Sequence, residues 1–204
     1  MSMTLFHNPA SPFVRKVRVL LLETGQQDRV TLQTALVSPI SPVAELNDDN
    51  PLGKIPSLRL ADGTVLHDSR VILDYLDHQH QGTPLIPRDG PSRWKRLTLA
   101  SVADGLMDAA VLVRYESAMR PVEKQWDLWL HEQRNKIRRA LDALETADLE
   151  GPFDIAAISV ACGLEYLDFR HPDLHWRKGH PRLSAWHADV SRRPSMQATQ
   201  PPAV

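Results

Sequence analysis

The sequence of 204 residues contains only one cysteine, Cys162, which excludes an internal disulfide. This scarcity is typical of a reducing compartment, and we expect a cytoplasmic protein. The chain also lacks an apolar run long enough to cross a bilayer. Its first residues, MSMTLFHNPAS, lack the charged and apolar regions of a signal peptide. We therefore expect no membrane partner.

An excess of charge of one sign is missing as well. The 24 Lys and Arg side chains nearly balance the 25 Asp and Glu side chains, so the net charge is −1. Because no basic excess is available to neutralise phosphates, we expect no nucleic-acid partner. Hydrophobic residues make up 42% of the chain and charged residues 24%, which is typical of one or two globular domains at this length.

Two common kinds of catalytic motif are also missing. No Ser, His and Asp residues form a nucleophile set with readable roles, and His7 is not assigned as a base. His78 and His80 lie two positions apart at a helix end with no acidic cluster beside them, so they do not converge on a metal ion. We therefore expect no metal cofactor. Cys162 lies in an apolar helix, which favours a buried, inert thiol.

The most informative stretch that is present is NPLGKIPSLRLADGTVLHDSRVILDYL, residues 50–76. Residues 57–60 and 64–67 are predicted strands, and Asp62-Gly63 between them is a hairpin turn signal. Apolar residues then recur with helical spacing after Asp68-Ser69, which predicts a helix with Ser69 as its N-cap. Backbone N–H groups beyond that cap are unpaired within the helix.

This helix start favours an anionic ligand, although a simple capped helix explains the same pattern. Its N–H groups suit the carboxylate of an amino-acid head, and Asp68 suits the ammonium. Ile55-Pro56 stands at the mouth of a strand, where proline donates no ladder hydrogen bond. We expect a cis peptide there, which would turn the Ile55 N–H and carbonyl outward to pair with a peptide-like ligand. Together these features predict that the ligand is a small peptide with a free amino-acid end.

NPLGKIPSL followed by LHDSRVILDYL closely resembles the glutathione-binding half of the glutathione S-transferase family, and the spacing between the two motifs fits. SPFVRKVRVLL near the start and HPRLSAWHADVSRRPSMQATQPP near the end extend the resemblance over nearly the whole chain. It implies a bacterial, serine-type, cytosolic enzyme. The implied fold is a thioredoxin-like α/β domain over residues 1–77, a linker over 78–91, and an all-helical domain over 92–204.

The resemblance also implies the site. Ser11, a hydroxyl at a predicted helix start before Pro12, takes the position of the catalytic residue that stabilises the glutathione thiolate; a plain N-cap is the alternative. The implied glutathione-binding residues are Lys54, Ile55, Pro56, Asp68 and Ser69. Glutathione is then the co-substrate, a small hydrophobic electrophile is the second substrate, and the protein is a homodimer acting in detoxification. Alternatives are glutathione-dependent peroxide reduction or isomerisation, or a non-catalytic binding or regulatory protein.

Elsewhere the pattern predicts strands over 4–7 and 30–36, helices over 12–24, 92–118 and 155–169, and a helical stripe over 126–144. A weak helix is predicted within 37–49, and a short one after His180-Pro181. The family opens its central helix with Ser or Thr three residues before Asp, whereas this chain has Gly151 there, so we expect a weaker cap. We expect the proline-rich tail after Arg193 to lie over the surface.

Four polar residues of the predicted first helix of the second domain fall near the place where the family has its electrophile pocket. A polar network inside the core is an equally good explanation for them. They are Asp104, Asp108, Arg114 and Tyr115.

Overall fold

The structure, a computed structural model, describes residues 3–202. It divides into two compact units. The first runs to Ile86 and also contains the segment from Pro194, and the second runs from Pro87 to Arg193. The first unit combines a four-stranded sheet with helices, and the second is helical. The predicted fold class is confirmed, whereas the predicted domain boundaries stay a prediction.

In the first unit, strands and helices alternate along the chain. They are β1 (Met3–His7), α1 (Pro12–Glu23), β2 (Val30–Thr34), α2 (Ala44–Asp49), β3 (Ser57–Arg59), β4 (Val65–Leu66) and α3 (Ser69–Asp77). The sheet order is β2-β1-β3-β4. β2 is parallel to β1, β3 is antiparallel to β1, and β4 is antiparallel to β3. Strands β1 and β4 therefore point in the same direction, and each leads into a helix.

Two layers of apolar side chains cover the sheet. Helices α1 and α3 pack against each other, which places them in one layer. On β1, Leu5 and Phe6 point to opposite faces because side chains alternate along a strand. Phe6 packs with Ala35 and Leu46 of the α2 side, each at most 2% exposed. The sheet is thus buried on both faces around β1.

The tail after Arg193 does not lie over the surface as predicted. It forms a short helix, α8 (Pro194–Gln197), that packs against α1. Met196 is fully buried, and the guanidinium of Arg15, itself 3% exposed, donates to the Met196 carbonyl at 3.0 Å and to the Thr199 hydroxyl at 3.3 Å. The prediction was wrong because burial of the Met196 side chain and the hydrogen bonds from Arg15 hold the tail against α1 despite its polar, proline-rich composition.

Most of the predicted linker, up to Ile86, is fixed to the first unit by a buried carboxylate. Asp77 is fully buried and accepts hydrogen bonds from the N–H groups of Leu85 at 2.7 Å and Ile86 at 3.2 Å. His80 Nε2 lies 3.2 Å from Asp77 Oδ1. Because Ile86 is only 2% exposed, this part of the chain belongs to the packed unit.

Asp77→Asn is expected to lower the free energy of unfolding by about 1–3 kcal/mol, because the NH2 group that replaces one carboxylate oxygen cannot accept and one of the two backbone N–H groups loses its acceptor. Urea unfolding followed by circular dichroism measures the change. Asp89→Asn is the matched control, since Asp89 is exposed and its side chain makes no capping hydrogen bond. Equal stability of both variants and the wild type would show that Asp77 does not hold the segment.

The second unit consists of α4 (Gly90–Met119), α5 (Asp127–Glu145), α6 (Ile155–Arg170) and α7 (Pro181–Val190). Helix α6 is its centre, as its apolar pattern predicts, and Cys162 within it is a fully buried free thiol. Gly163 lets α6 approach α4 closely, because a Cβ there would lie 3.4 Å from Leu106 and Met107 side-chain atoms. Between residues 3 and 202, no helix is long and apolar enough to span a bilayer.

The expected weak cap of α6 is wrong. Asp154, not Gly151, is the N-cap, and its carboxylate accepts from the N–H groups of Ala156 at 3.0 Å and Ala157 at 3.1 Å. Gly151 has φ +104°, a left-handed conformation that only glycine adopts easily, so it belongs to the preceding turn. Asp154 is also held by Arg96, which donates through Nε and Nη2 to its two oxygens.

Candidate functional site

The loop after β1 delivers Ser11 to the start of α1. Ser11 is the N-cap, as predicted, and its Oγ accepts from the Val14 N–H at 3.3 Å. The turn before it is closed by the Ser11 N–H, which donates to the Asn8 carbonyl at 2.9 Å, and by the Asn8 side chain, which accepts from the Ala10 N–H. Within residues 3–202 the Ser11 hydroxyl donates to no group, so its proton is available to a ligand.

The loop before β3 is shaped by Asn50, which the sequence analysis did not single out. Asn50 is 1% exposed, and its side-chain NH2 donates to the Lys54 carbonyl at 2.9 Å and to Ser57 Oγ at 3.0 Å. The Ser57 hydroxyl donates to the same Lys54 carbonyl. The only sequence signal was the position of Asn50 before the Pro-Leu-Gly turn. Its buried amide positions the segment that contains Ile55.

The predicted binding residues Lys54, Ile55 and Pro56 lie together in this loop. The Ile55–Pro56 peptide is cis, as predicted. The Ile55 side chain is half-buried against the cluster of Phe6, and Pro56 is buried, whereas Lys54 is exposed. In the part of the chain that the structure describes, neither the N–H nor the carbonyl of Ile55 forms a backbone hydrogen bond.

At the start of α3 the N-cap differs from the predicted one. Asp68, not Ser69, is the N-cap, and its carboxylate accepts from the Arg70 N–H at 2.9 Å and pairs with the Arg70 guanidinium at 3.1 Å. Ser69 is the first helical residue and is 3% exposed. The prediction was wrong because Asp and Ser are equally good caps, and the backbone at Asp68 is the extended one. The His67–Asp68 peptide is also cis.

The strand register brings these three segments to one edge of the sheet. Phe6 pairs with Ser57 in the antiparallel β1–β3 ladder, and Leu58 pairs with Leu66 in the β3–β4 ladder. Extending both ladders past their ends places His7, Pro56 and Asp68 at the same level. The C-terminal ends of β1 and β4 and the N-terminal end of β3 thus meet there. Ile55-Pro56 precedes the start of β3 directly, and Ser11 and Asp68-Ser69 follow the ends of β1 and β4 within four residues.

The electrostatics of this edge favour negative charge. Helices α1 and α3 both begin there, and the N-terminus of each carries partial positive charge from its unpaired N–H groups. His7, at the end of β1, has its pKa lowered by burial and then by the positive charge of Arg18, so its imidazole is neutral near pH 7. His7 Nδ1 is buried without a hydrogen-bond partner, and no base role follows from that geometry.

The polar residues noted on the first helix of the second unit divide by burial. Asp104 is 3% exposed, whereas Asp108 and Arg114 are exposed. Burial raises the pKa of the Tyr115 phenol, so it remains protonated at neutral pH. For the described chain from Met3 to Pro202, no group of three or more His, Cys, Asp or Glu side chains converges as metal ligands would.

Family models match both units. Residues 5–84 match the glutathione S-transferase N-terminal domain, and residues 127–189 match the glutathione S-transferase C-terminal domain. The GST-like protein YibF of Escherichia coli (strain K12) is 33% identical over 205 residues, which cover 98% of this chain and 99% of that protein.

Two crystal structures of a glutathione transferase family member from Pseudomonas fluorescens Pf-5 are very similar to this chain. The one with bound glutathione is 68% identical with a TM-score of 0.98, and covers 99% of this chain and 100% of that chain. The one with bound S-(propanoic acid)-glutathione is 65% identical with a TM-score of 0.93, and covers 98% and 100%.

A further similarity is confined to part of the chain. The stringent starvation protein A homolog of Pasteurella multocida (strain Pm70) is 36% identical over 85 residues, which cover 42% of this chain and 38% of that protein.

Proposed function

Because the chain belongs to the glutathione S-transferase family, we propose that it is a glutathione transferase joining the glutathione thiolate to a small hydrophobic electrophile. The sulfur lone pair forms a C–S bond with the electrophilic carbon. A leaving group departs with its bonding pair, or, in an addition, the displaced electron pair is protonated by water. The observation that carries the proposal is the meeting of two helix N-termini and the free Ile55 backbone at one sheet edge.

The γ-glutamyl head binds at the start of α3 in this proposal. Its carboxylate accepts hydrogen bonds from N–H groups of the first turn and from the Ser69 hydroxyl. Its ammonium forms an ion pair with the exposed Asp68 carboxylate. Support comes from charge: the Asp68 side chain is 55% exposed beside Arg70, so its oxygens remain reachable by a second cation. The anionic and cationic groups of the head then meet partners of opposite sign.

The rest of the tripeptide lies along the loop before β3. The cysteinyl backbone pairs with the N–H and carbonyl of Ile55 in the manner of an added strand, next to Pro56. The exposed Lys54 ammonium binds the glycyl carboxylate. Support comes from Asn50 and Ser57, which hold the Lys54 carbonyl inside the loop and leave the Ile55 backbone groups unpaired.

Ser11 is the proposed catalytic residue. A free cysteine thiol has a pKa of about 8.5, so a transferase must stabilise the thiolate at neutral pH. The Ser11 hydroxyl accepts from the Val14 N–H and retains its own proton for the sulfur. The partial positive charge of the α1 N-terminus acts in the same direction.

The Pseudomonas fluorescens protein, 68% identical, binds glutathione, which supports glutathione as the co-substrate here. Its second ligand, S-(propanoic acid)-glutathione, is a glutathione S-conjugate, which supports conjugation. A homodimer in the cytoplasm with a role in detoxification completes the proposal. Light scattering at micromolar concentration tests the dimer, and a monomer there would contradict that part alone.

Asp68→Asn and Ser69→Ala are expected to weaken glutathione binding without a matching loss of stability. Asn caps helices about as well as Asp, so Asp68→Asn removes only the charge. Ser69 is not the cap, so Ser69→Ala spares the helix start. Calorimetry with glutathione measures binding, and thermal unfolding measures stability. Unchanged glutathione affinity in both variants would show that Asp68 and Ser69 only form the start of the helix and do not bind glutathione.

A non-catalytic, regulatory role is the second candidate, favoured by the partial similarity to a stringent starvation protein A homolog. A panel of aryl halides, activated alkenes, epoxides and organic peroxides separates the candidates. Turnover of the first three classes supports conjugation, and turnover of peroxides alone supports peroxide reduction. Tight glutathione binding with no turnover of any class would favour the regulatory role.

A further inference from the structure

The first unit contains a guanidinium that no acidic side chain neutralises, that of Arg18 on α1. Within residues 3–202 this guanidinium forms neither an ion pair nor a hydrogen bond. Arg18 is half-buried, and its pKa is lowered by that burial and then by the positive charge of Arg15. A charge that loses hydration without gaining a partner is unfavourable for folding. Stability therefore does not explain Arg18, which makes it a candidate for a functional role.

Arg18 lies on the same face of α1 as Ser11. It follows Ser11 by seven positions, which is nearly two helical turns and a rise of about 10 Å. Both belong to the least buried face of the helix, because residues 14–17 and 19–21 are buried. Long side chains in a helix extend back toward its N-terminus. The guanidinium of Arg18 therefore extends toward the turn that Ser11 caps.

The positive charge of Arg18 acts on the end of β1. It contributes, after burial, to the lowered pKa of His7, the last residue of β1. His7 lies on the sheet face opposite Phe6, because side chains alternate along a strand. Phe6 packs toward α2, so His7 is on the other side of the sheet. Ser11 follows His7 by four positions, so the positive potential from Arg18 extends to the loop that delivers Ser11.

The other charged side chains of α1 contact different parts of the unit. Arg15 is buried and donates to the C-terminal tail. Lys16 is fully buried, with its ammonium 5.7 Å from the centroid of the Phe13 ring. Glu23 lies at the other end of the helix and accepts from a serine hydroxyl of the tail. Of the charges on α1, that of Arg18 is the one that lowers the pKa of His7.

The carboxylates of α3, the helix that packs against α1, also contact groups other than Arg18. Asp68 pairs with an arginine of its own helix. Asp74 Oδ1 lies 3.8 Å from His78 Nδ1, and Asp77 accepts from the backbone of the linker. No direct ion pair therefore cancels the positive charge of Arg18, and an anion bound at the start of α1 would supply the missing counter-charge.

We propose that Arg18 is a further residue of the reaction, whose positive charge stabilises the thiolate of glutathione bound at Ser11. The assignment rests on the proposed function, because it adds a second source of thiolate stabilisation at the same site. Ser11 acts by a hydrogen bond at contact distance, whereas Arg18 acts through space. The guanidinium stays protonated throughout, so Arg18 transfers no proton to or from the sulfur.

The test is the titration of bound glutathione in Arg18→Gln, followed by thiolate absorbance against pH. Loss of the charge is expected to raise the pKa of the bound thiol. Below that pKa the thiolate fraction and the turnover should each fall about threefold, as a unit charge about 10 Å away in partly hydrated surroundings predicts. Turnover well above the pKa should be unchanged. High salt should reduce the difference between the wild type and Arg18→Gln.

Arg18→Lys and Arg29→Gln are the matched controls. Arg18→Lys retains the charge and should titrate like the wild type. Arg29→Gln removes a positive charge at the opposite edge of the sheet, because Arg29 precedes β2 and the first residue of β2 pairs with Met3. It should leave the pKa of the bound thiol unchanged.

Thermal unfolding without glutathione separates this role from a structural one. Arg18→Gln should be at least as stable as the wild type, and a large loss of stability would overturn the proposal. Superimposable titrations of the wild type and Arg18→Gln, or a lysine variant that titrates like the glutamine variant, would overturn it as well. A wild type that fails to bind glutathione, or binds it without lowering its thiol pKa, would instead contradict the proposed function.

Discussion

Replacing Ser11 with alanine is expected to raise the pKa of the bound glutathione thiol and to lower turnover roughly 100-fold, with little change in glutathione affinity. The hydroxyl stabilises the sulfur only in its charged form, so its loss acts on the thiolate and not on the tripeptide. Each pKa unit corresponds to about 1.36 kcal/mol of preference for the thiolate. Thiolate absorbance of bound glutathione against pH gives the pKa directly.

Ser11→Thr is the control for this experiment, because it retains both the hydroxyl and the helix cap. Alanine removes the acceptor of the Val14 N–H as well, which costs about 1 kcal/mol of stability. The threonine variant should keep a low thiol pKa and most of the turnover. Superimposable titrations of the wild type and Ser11→Ala would contradict the catalytic role of Ser11 and would show that Ser11 acts only as a helix cap.

The second large effect concerns the stability of the second unit. Asp154→Ala is expected to lower the free energy of unfolding by about 3–5 kcal/mol, because it leaves the guanidinium of Arg96 buried without its partner. Arg96 is 9% exposed and Asp154 7%, so water cannot replace the lost carboxylate well. The N–H groups of Ala156 and Ala157 lose their acceptor in the same substitution. Urea unfolding measures the combined loss.

Two further variants separate the charge pair from the helix cap. Asp154→Asn retains a capping oxygen but removes the negative charge. The decrease in its free energy of unfolding therefore measures the contribution of the ion pair with Arg96. The double variant Arg96→Met, Asp154→Asn removes the uncompensated guanidinium and should recover part of the stability. If Asp154→Ala unfolds at the same urea concentration as the wild type, the Arg96–Asp154 pair contributes nothing to the free energy of unfolding.

Local signals in the sequence were enough to predict one part of the site. The cap at Ser11 was predicted because Pro12 follows it directly and favours the first helical position. The cap at Asp68 was missed because Asp68 and Ser69 are both suitable, and the choice depends on which of them has the extended backbone, which is Asp68. Local sequence does not decide between neighbours of equal propensity.

Long-range partners explain the other misses. Asp154 caps α6 while it binds Arg96, which lies 58 residues earlier in the chain. The family-like pattern around Gly151 carried no information about that partner. Likewise, Asn50 is a buried donor to two groups that follow it, and nothing in its own residue type distinguishes it from an ordinary turn asparagine. Burial of a polar side chain becomes visible only once its neighbours are placed.

The return of α8 to the first unit has a consequence for synthesis on the ribosome. The first unit is assembled from two stretches of chain separated by the whole second unit. At about 5–20 residues per second, roughly 10–35 s pass between emergence of α1 and emergence of Met196. During that interval Arg15 lacks its Met196 and Thr199 partners and the surface that Met196 covers is open. The nascent first unit therefore exposes this surface until α8 is synthesised, and a product truncated before Met196 is expected to expose it permanently.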